Sequence, residues 1–411
     1  MNYLKKLTEP YKGLPKEIYI LFIGNIINAA GSFIAPLMTL ILTKKIGLSS
    51  ELAGIYISIF GVIYLPTGLI GGKLTDMFGR KKIIIIFQGI ACILYASCGF
   101  VKPSMTTIYL IMLAGAASGF VSPAINSMVG DLTEPKNRNA SYALTYMGWN
   151  LGFAIGPFVG GLLFEKHLNI LFIGDACTTV AALILIGLFV RETKGREESK
   201  IVSEDRVLEK DEEGSIFKIL WDRKILLYFG IVIFGYDLVY GQWGFLLPIE
   251  LSNVYGALGA KYYGYVSSFN GVVVILMTPI ITKLFYKVEN LKNIFYGGLF
   301  YTLGFGLLGF FNSIFMVFIS VFIFTLGEII LATNVNTFIA NNTPASHRGR
   351  MNGILPILMG AGYYIGPIMV GKILSYLDDM KTWNILSVIV LLSTIFVIYI
   401  RKIYIRSYKN K

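Results

Sequence analysis

Apolar residues run along this chain in long blocks broken by short polar turns. Twelve blocks reach membrane-spanning length, with centres near residues 30, 60, 92, 118, 152, 180, 236, 272, 302, 328, 362 and 392. A helix that crosses a bilayer needs about 20 mostly apolar residues, so each block predicts one spanning helix. The first begins near Ile18 and continues past Ala35 without a small-residue cleavage pattern, which predicts a retained helix rather than a signal peptide. Between the second and third blocks lies Gly72-Lys73-Leu74-Thr75-Asp76-Met77-Phe78-Gly79-Arg80-Lys81-Lys82, with one carboxylate, two glycines and three consecutive cations. A turn so short and so charged predicts a tight hairpin between two spans.

The sixth block ends at Arg191-Glu192-Thr193-Lys194, and residues to about 215 are mostly polar with mixed charge. Such a segment buries little and reads as a solvated linker. The expected organisation is therefore residues 1–191, a linker at 192–215, and residues 216–411. A shift of 210 residues relates the halves. It places Asn126 on Asn336, Thr133 on Thr343, Arg138 on Arg348, Gly152 on Gly362, Gly156-Pro157 on Gly366-Pro367 and Gly161 on Gly371. One constant offset is the trace expected of two parallel repeats, with a substrate site near the membrane midplane between them. The charged hairpin is not repeated: its counterpart, Lys283-Leu284-Phe285-Tyr286-Lys287-Val288-Glu289, lacks the aspartate and both glycines.

Composition agrees with the pattern, since 55% of the 411 residues are apolar and only 15% are charged. With the N-terminus inside, 29 of the 36 Lys and Arg fall on the cytoplasmic side, which predicts that both termini are cytoplasmic. That distribution accounts for the net charge of +12 without nucleic-acid binding. Cys92, Cys98 and Cys177 lie in apolar blocks without metal or disulfide spacing and read as buried free thiols.

Three carboxylates fall well inside blocks: Asp175, Asp237 and Glu328. An ionised group at that depth costs about 2.5–3.5 kcal/mol on insertion scales. No Lys or Arg lies at that depth to neutralise them, and an unpaired carboxylate in such surroundings tends to take up a proton. Asp175, about two turns from the outer face, reads as a hydrogen-bonded structural acid. Asp237 and Glu328 read as functional because polar and small residues share their helical faces. Asp237 lies with Tyr240 and Gly241, Glu328 with Thr325 and Asn336. Asn25, Asn28 and Ser32 align on the first span, and Ser118, Ser122 and Asn126 on the fourth.

Two motifs carry a resemblance. The spacing G-x-L-x-D-x-x-G-R-K at residues 72–81 resembles the loop 2–3 signature of the major facilitator superfamily of secondary transporters. Gly152, Gly156, Pro157, Gly160 and Gly161 in the fifth span resemble the helix 5 signature of its drug:proton antiporters. The resemblance implies an all-α integral membrane protein with twelve transmembrane helices, in two six-helix repeats around a central cavity lined by spans 1, 4, 7 and 10. It also implies a cytoplasmic gate built from Gly72, Asp76, Gly79, Arg80, Asp131 and Arg138, and a helix 5 seal against proton leak. One departure stands out. The stretch 113–118, where family members often carry an arginine, has no cation, which argues against anionic substrates.

The apolar Gly304-Phe305-Gly306-Leu307-Leu308-Gly309 matches a dinucleotide fingerprint but lacks its strand-turn-helix setting and reads as packing. Together these features predict a secondary transporter, not an enzyme, with no cofactor or metal. Its expected activity is proton-coupled efflux of amphipathic or cationic drugs. Asp237, Glu328, Asn25, Asn28, Asn126, Tyr240 and Asn336 are the expected proton and substrate residues. Alternatives are a proton-coupled symporter or facilitator of a neutral nutrient or peptide, or an exporter of a lipid or siderophore. The expected setting is a multi-pass monomer in the bacterial cytoplasmic membrane, with small-molecule substrate, protons and lipids as partners.

Overall fold

The computed structural model describes residues 11–194, 224–342 and 348–406, and every regular element among them is helical. The first half comprises α1 (Lys16–Ala30), α2 (Ile34–Leu40), α3 (Ser50–Phe78), α4 (Arg80–Cys98), α5 (Met105–Gly119), α6 (Val121–Leu132), α7 (Pro135–Phe153), α8 (Gly156–Leu163) and α9 (Leu168–Phe189). The second half comprises α10 (Lys224–Tyr240), α11 (Gln242–Tyr255), α12 (Gly259–Phe285), α13 (Asn290–Leu308), α14 (Ile314–Asn341), α15 (Arg348–Ile373) and α16 (Asp379–Tyr404). Among the described residues, eight helical stretches are long and apolar enough to cross a membrane by length and composition. With no water in the hydrocarbon, backbone groups must pair within the segment, and helices do this. From residue 195 on, the expected linker lies outside the described residues.

The helices break where their residues cannot continue them. Gly31 ends α1, and Gly241, 210 residues later, separates α10 from α11. Between α7 and α8, Pro157 has no N–H to offer the carbonyl of Phe153, and the chain yields at Ala154 and Ile155. Gly79 turns the chain from α3 into α4 at φ +102°, a conformation that side-chain-bearing residues rarely adopt.

The described chain groups into two compact units. One contains residues 1–47, 59–200 and 257–271; the other contains 48–58, 201–256 and 272–411. In the first, α1 packs on α7 and α9, and α4 on α5 and α9, around Ile18, Leu21, Ile84 and Met128. In the second, α13 packs on α14 and α16, and α10 on α15 and α16.

The 210-residue repeat reappears in this packing. In the first unit a Cβ on Gly152 would stand 2.5 Å from the Ile26 carbonyl oxygen, and one on Gly156 2.8 Å from that of Ala29. In the second, Gly362 faces the Phe234 carbonyl and Gly366 the Leu238 carbonyl. The same glycines thus press α7–α8 on α1 and α15 on α10, with backbones too close for side chains. Gly160 packs on Phe33 and Leu37. Gly161 meets the Ala260 carbonyl, and Gly371 meets that of Ser50, again 210 residues apart. The stretch 304–309 is packing too, since Gly304 faces Phe324 and Ser320, and Gly309 faces Asn384. Cys92 and Cys98 are buried; Cys177 is exposed, so the buried-thiol expectation fails there.

Candidate functional site

In the second unit a cavity of about 320 Å³ opens among α10, α13, α14 and α15. Asp237 and Glu328 both line it, with Tyr236, Tyr240, Tyr301 and Asn336. The rest of its described lining is apolar, and no Lys, Arg or His is among the described lining residues. Asp237 is placed by the last turn of α10, four residues before the break at Gly241, where the backbone N–H of Gly241 still bonds the Asp237 carbonyl at 2.9 Å. Discontinuous helices recur in transporter binding sites.

Tyr240 organises the cavity wall. Its hydroxyl hydrogen-bonds the Glu328 carboxylate. Its ring lies nearly parallel to that of Tyr301, with centroids 5.7 Å apart. Glycines permit this arrangement: a Cβ on Gly327 would stand 2.8 Å from the Tyr301 ring, and one on Gly298 would strike the Tyr236 side chain. Two acids on an aromatic wall attract a positive charge and offer π faces to a flat body.

A charge cluster sits in the first unit at the hairpin of residues 72–82. Arg80 Nε lies 2.8 Å from Asp131 Oδ2, off the N–H axis, so the contact is an ion pair more than a linear hydrogen bond. Thr193 Oγ1 donates to the same carboxylate oxygen at 2.8 Å. Asp76 approaches Arg80 at 3.4 Å from an exposed position, a contact of the kind that contributes little by itself. Arg138 turns instead to the backbone, donating to the carbonyls of Gly130 and Thr133 at 3.4 Å each. Gly72 has open space where a Cβ would point.

The other expected residues are placed as follows. Asn25 donates to the Thr145 carbonyl at 3.0 Å, and Asn28 accepts from the Thr179 hydroxyl at 3.0 Å. Both amides therefore link α1 to neighbouring helices of its own unit. Asn126 is exposed on α6, and its carbonyl accepts from the Tyr142 hydroxyl at 2.9 Å. Asp175 accepts hydrogen bonds from the backbone N–H groups of Phe33 and Ile34. It thereby caps the backbone N–H groups where helix α1 gives way to α2, that of Phe33 also bonding the Gly31 carbonyl at 2.8 Å. The position 210 residues on is Ile385, so this acid belongs to the first half alone.

Two carboxylates were not singled out by the sequence. Glu192 closes the hairpin: it accepts from the backbone N–H of Arg80 at 2.8 Å, Lys81 at 3.2 Å, Thr193 at 2.9 Å and Lys194 at 3.2 Å. Partial burial pushes its carboxyl up, and these hydrogen bonds outweigh that, so it sits below its ordinary value. It is 112 residues from Arg80, and no local pattern announces the contact. Glu250 is buried in α11 and accepts from Trp383 Nε1 at 2.7 Å. The interruption of an apolar run, Leu246-Leu247-Pro248-Ile249-Glu250-Leu251, is the one sequence signal for it.

Together, the helical fold, the buried acids and the charged hairpin define a multi-pass membrane transporter. The family model of the Major Facilitator Superfamily matches residues 21–367 and 292–410, and the chain belongs to that family. It is 24% identical over 376 residues to a Na(+), Li(+), K(+)/H(+) antiporter of Planococcus maritimus, covering 84% of this chain and 86% of that one. It is likewise 24% identical to Multidrug resistance protein MdtH of Yersinia enterocolitica, covering 85% and 84%. Its fold superposes on a POT family transporter crystallised with a thioalcohol-conjugated peptide, with TM-score 0.80, 14% identity and coverage of 95% and 97%.

Proposed function

We propose that this chain exports amphipathic, cationic compounds in exchange for protons. One observation carries the reading. Asp237 and Glu328 line one cavity that has tyrosine walls, with no basic side chain among its described lining residues. A cation and a proton then compete for the same carboxylates, and exchange follows from that competition. Relatives named as multidrug resistance proteins and as a cation/H(+) antiporter support the assignment.

In this reading the protein is a twelve-helix monomer of two six-helix repeats, 1–191 and 216–411, joined at 192–215. It sits in the bacterial cytoplasmic membrane with both termini inside. Asp237, Glu328, Tyr240 and Asn336 handle substrate and protons. Asp76, Arg80, Asp131 and Arg138, with the hinge glycines Gly72 and Gly79, form the cytoplasmic gate. Gly152, Gly156, Pro157, Gly160 and Gly161 hold the helix 5 seal. Asn25, Asn28 and Asn126 are the proton and substrate residues of the first repeat.

The test is a proteoliposome assay with an imposed pH difference and a fluorescent organic cation. Antiport moves the dye against the proton flow. Movement with the protons contradicts it and favours symport. A second reading, alkali-cation/proton exchange, draws on the Planococcus maritimus relative. The stacked Tyr240–Tyr301 wall favours the organic cation. Competition of Na(+) or K(+) with the dye distinguishes the two.

A further inference from the structure

Glu250 stands apart from the cavity. It lies 13 residues beyond Asp237 in the chain, about 20 Å along the helix axis at a rise of 1.5 Å per residue. It is 2% exposed, and the run Phe245–Ser252 of α11 is buried around it. Its described partner is the indole N–H of Trp383, which ties α11 to α16. Trp383 is itself fully buried and stacks face to face on Phe305, with centroids 5.8 Å apart. Phe305 packs edge-on to Tyr301 at 5.4 Å, and Tyr301 stacks on Tyr240 of the cavity. Aromatic contacts therefore run unbroken from the Glu328 partner to the Glu250 partner.

Water is close on the other side. Three residues past Glu250, Asn253 hydrogen-bonds Asp379 at 3.1 Å at an exposed rim. Asp378 and Lys381 pair there at 2.8 Å, with side chains 56% and 67% exposed. The charged group whose field reaches Glu250 is Asp379 of α16. Helices α10 and α15, which also pack on α11, bring no charged side chain to it among the described residues.

From this placement we infer that Glu250 is a second proton-binding site of the transporter, acting as a titratable latch between α11 and α16. Ionised, the carboxylate accepts a charge-assisted hydrogen bond from Trp383. Protonated, it offers only a neutral acceptor, roughly half as strong. Acid at the Asn253–Asp379 rim thus loosens the outer segment of the broken helix whose inner segment carries Asp237. The inference extends the proton-coupled reading of the cavity, and its test needs no transport.

Trp383 reports on its own partner. With Trp149, Trp221 and Trp243 replaced by Phe in the full-length protein in nanodiscs, Trp383 emission is followed between pH 4 and pH 10. The expected result is a one-proton titration that survives Asp237→Asn and Glu328→Gln and is lost in Glu250→Gln. Glu250→Asp, which keeps the acid on a shorter arm, should titrate with a displaced midpoint and keeps the test readable if the Gln variant does not fold. Flat emission, or an unchanged titration in Glu250→Gln, overturns the inference. A Glu250-dependent titration without proton-driven export would leave this site standing and sink the proposed function instead.

Discussion

Arg80 and Asp131 meet at 2.8 Å with side chains only 15% and 9% exposed, and they join the first turn of α4 to the end of α6. Their counterparts 210 residues later are Asn290 and Asn341. Close to Asn290 in the chain, Asn293 donates to the carbonyls of Phe285 at 3.1 Å and Val288 at 3.3 Å, and to Asn334 at 2.9 Å. The second hairpin carries an ion pair of its own, Arg401 with Glu289 at 3.1 Å, but between positions that do not correspond to Arg80 and Asp131. The Arg80–Asp131 pair itself, like the hairpin motif, belongs to the first half alone.

Removing one partner of the Arg80–Asp131 pair leaves a poorly solvated charge, which costs about 3–5 kcal/mol in well-buried cases. Asp131→Asn and Arg80→Gln should each lower the thermal midpoint clearly, and the double variant should lose less than the sum. A double-mutant cycle by thermal unfolding reads this as a coupling above about 0.5 kcal/mol. Additive losses would mean that the two residues do not act as a pair.

Glu192 gives the hairpin a pH dependence. Its folded pKa lies below that of an ordinary glutamate: partial burial raises it, and the backbone N–H groups that bond the ionised form lower it by more. Its contribution is thus fully present above the unfolded value and is lost as pH falls through the folded one. Hydrogen exchange at Arg80 and Lys81 should be slow at neutral pH and accelerate as pH drops from about 4.5, once corrected for intrinsic rates. Glu192→Gln should exchange quickly throughout. Equal protection in the variant at pH 7 would remove Glu192 from the hairpin.

Two motif glycines should behave oppositely. Gly152→Ala drives a methyl group into the Ile26 carbonyl and the Ala29 side chain, an overpacking worth about 1–3 kcal/mol. Gly72→Ala meets nothing within 4 Å inside a helix, where alanine is favoured by up to about 1 kcal/mol. Thermal stability should fall in the first and hold or rise in the second. A loss of transport in stable Gly72→Ala would then assign that glycine to movement rather than to packing.

Tyr301→Ala removes one face of the cavity wall. A cation over an aromatic ring gains about 0.5–2 kcal/mol, so apparent affinity for a planar cation should weaken by about two- to thirtyfold. An uncharged, non-aromatic competitor of similar size should be affected less. Equal loss for both would argue that the ring shapes the cavity without contacting the cation.

Much of this was legible in the chain because membrane helices write strong patterns. The apolar blocks reappear as helices, eight stretches among the described residues being long and apolar enough to span, the charged hairpin as the Arg80–Asp131 contact, and the 210-residue offset as repeated glycine seats. Asp237, Glu328, Tyr240 and Asn336 come together around one cavity, as their shared faces suggested. Polar helix faces were harder to read. A buried amide must find a partner whether it faces a cavity or a neighbouring helix, so the pattern of Asn25 and Asn28 was silent about the bonds to Thr145 and Thr179. Glu192 and Glu250 stayed hidden for different reasons. The first acts across 112 residues, and the second sits at the far end of a span longer than its apolar core.

The central claim is that Asp237 and Glu328 couple export to protons. Its most direct measurement compares, in one proteoliposome preparation, dye movement driven by a pH difference with dye exchange at equal pH. Glu328→Gln should abolish the driven movement and keep exchange, because the cavity survives while one titrating group is gone. Driven transport at full rate in Glu328→Gln, and again in Asp237→Asn, would contradict the account.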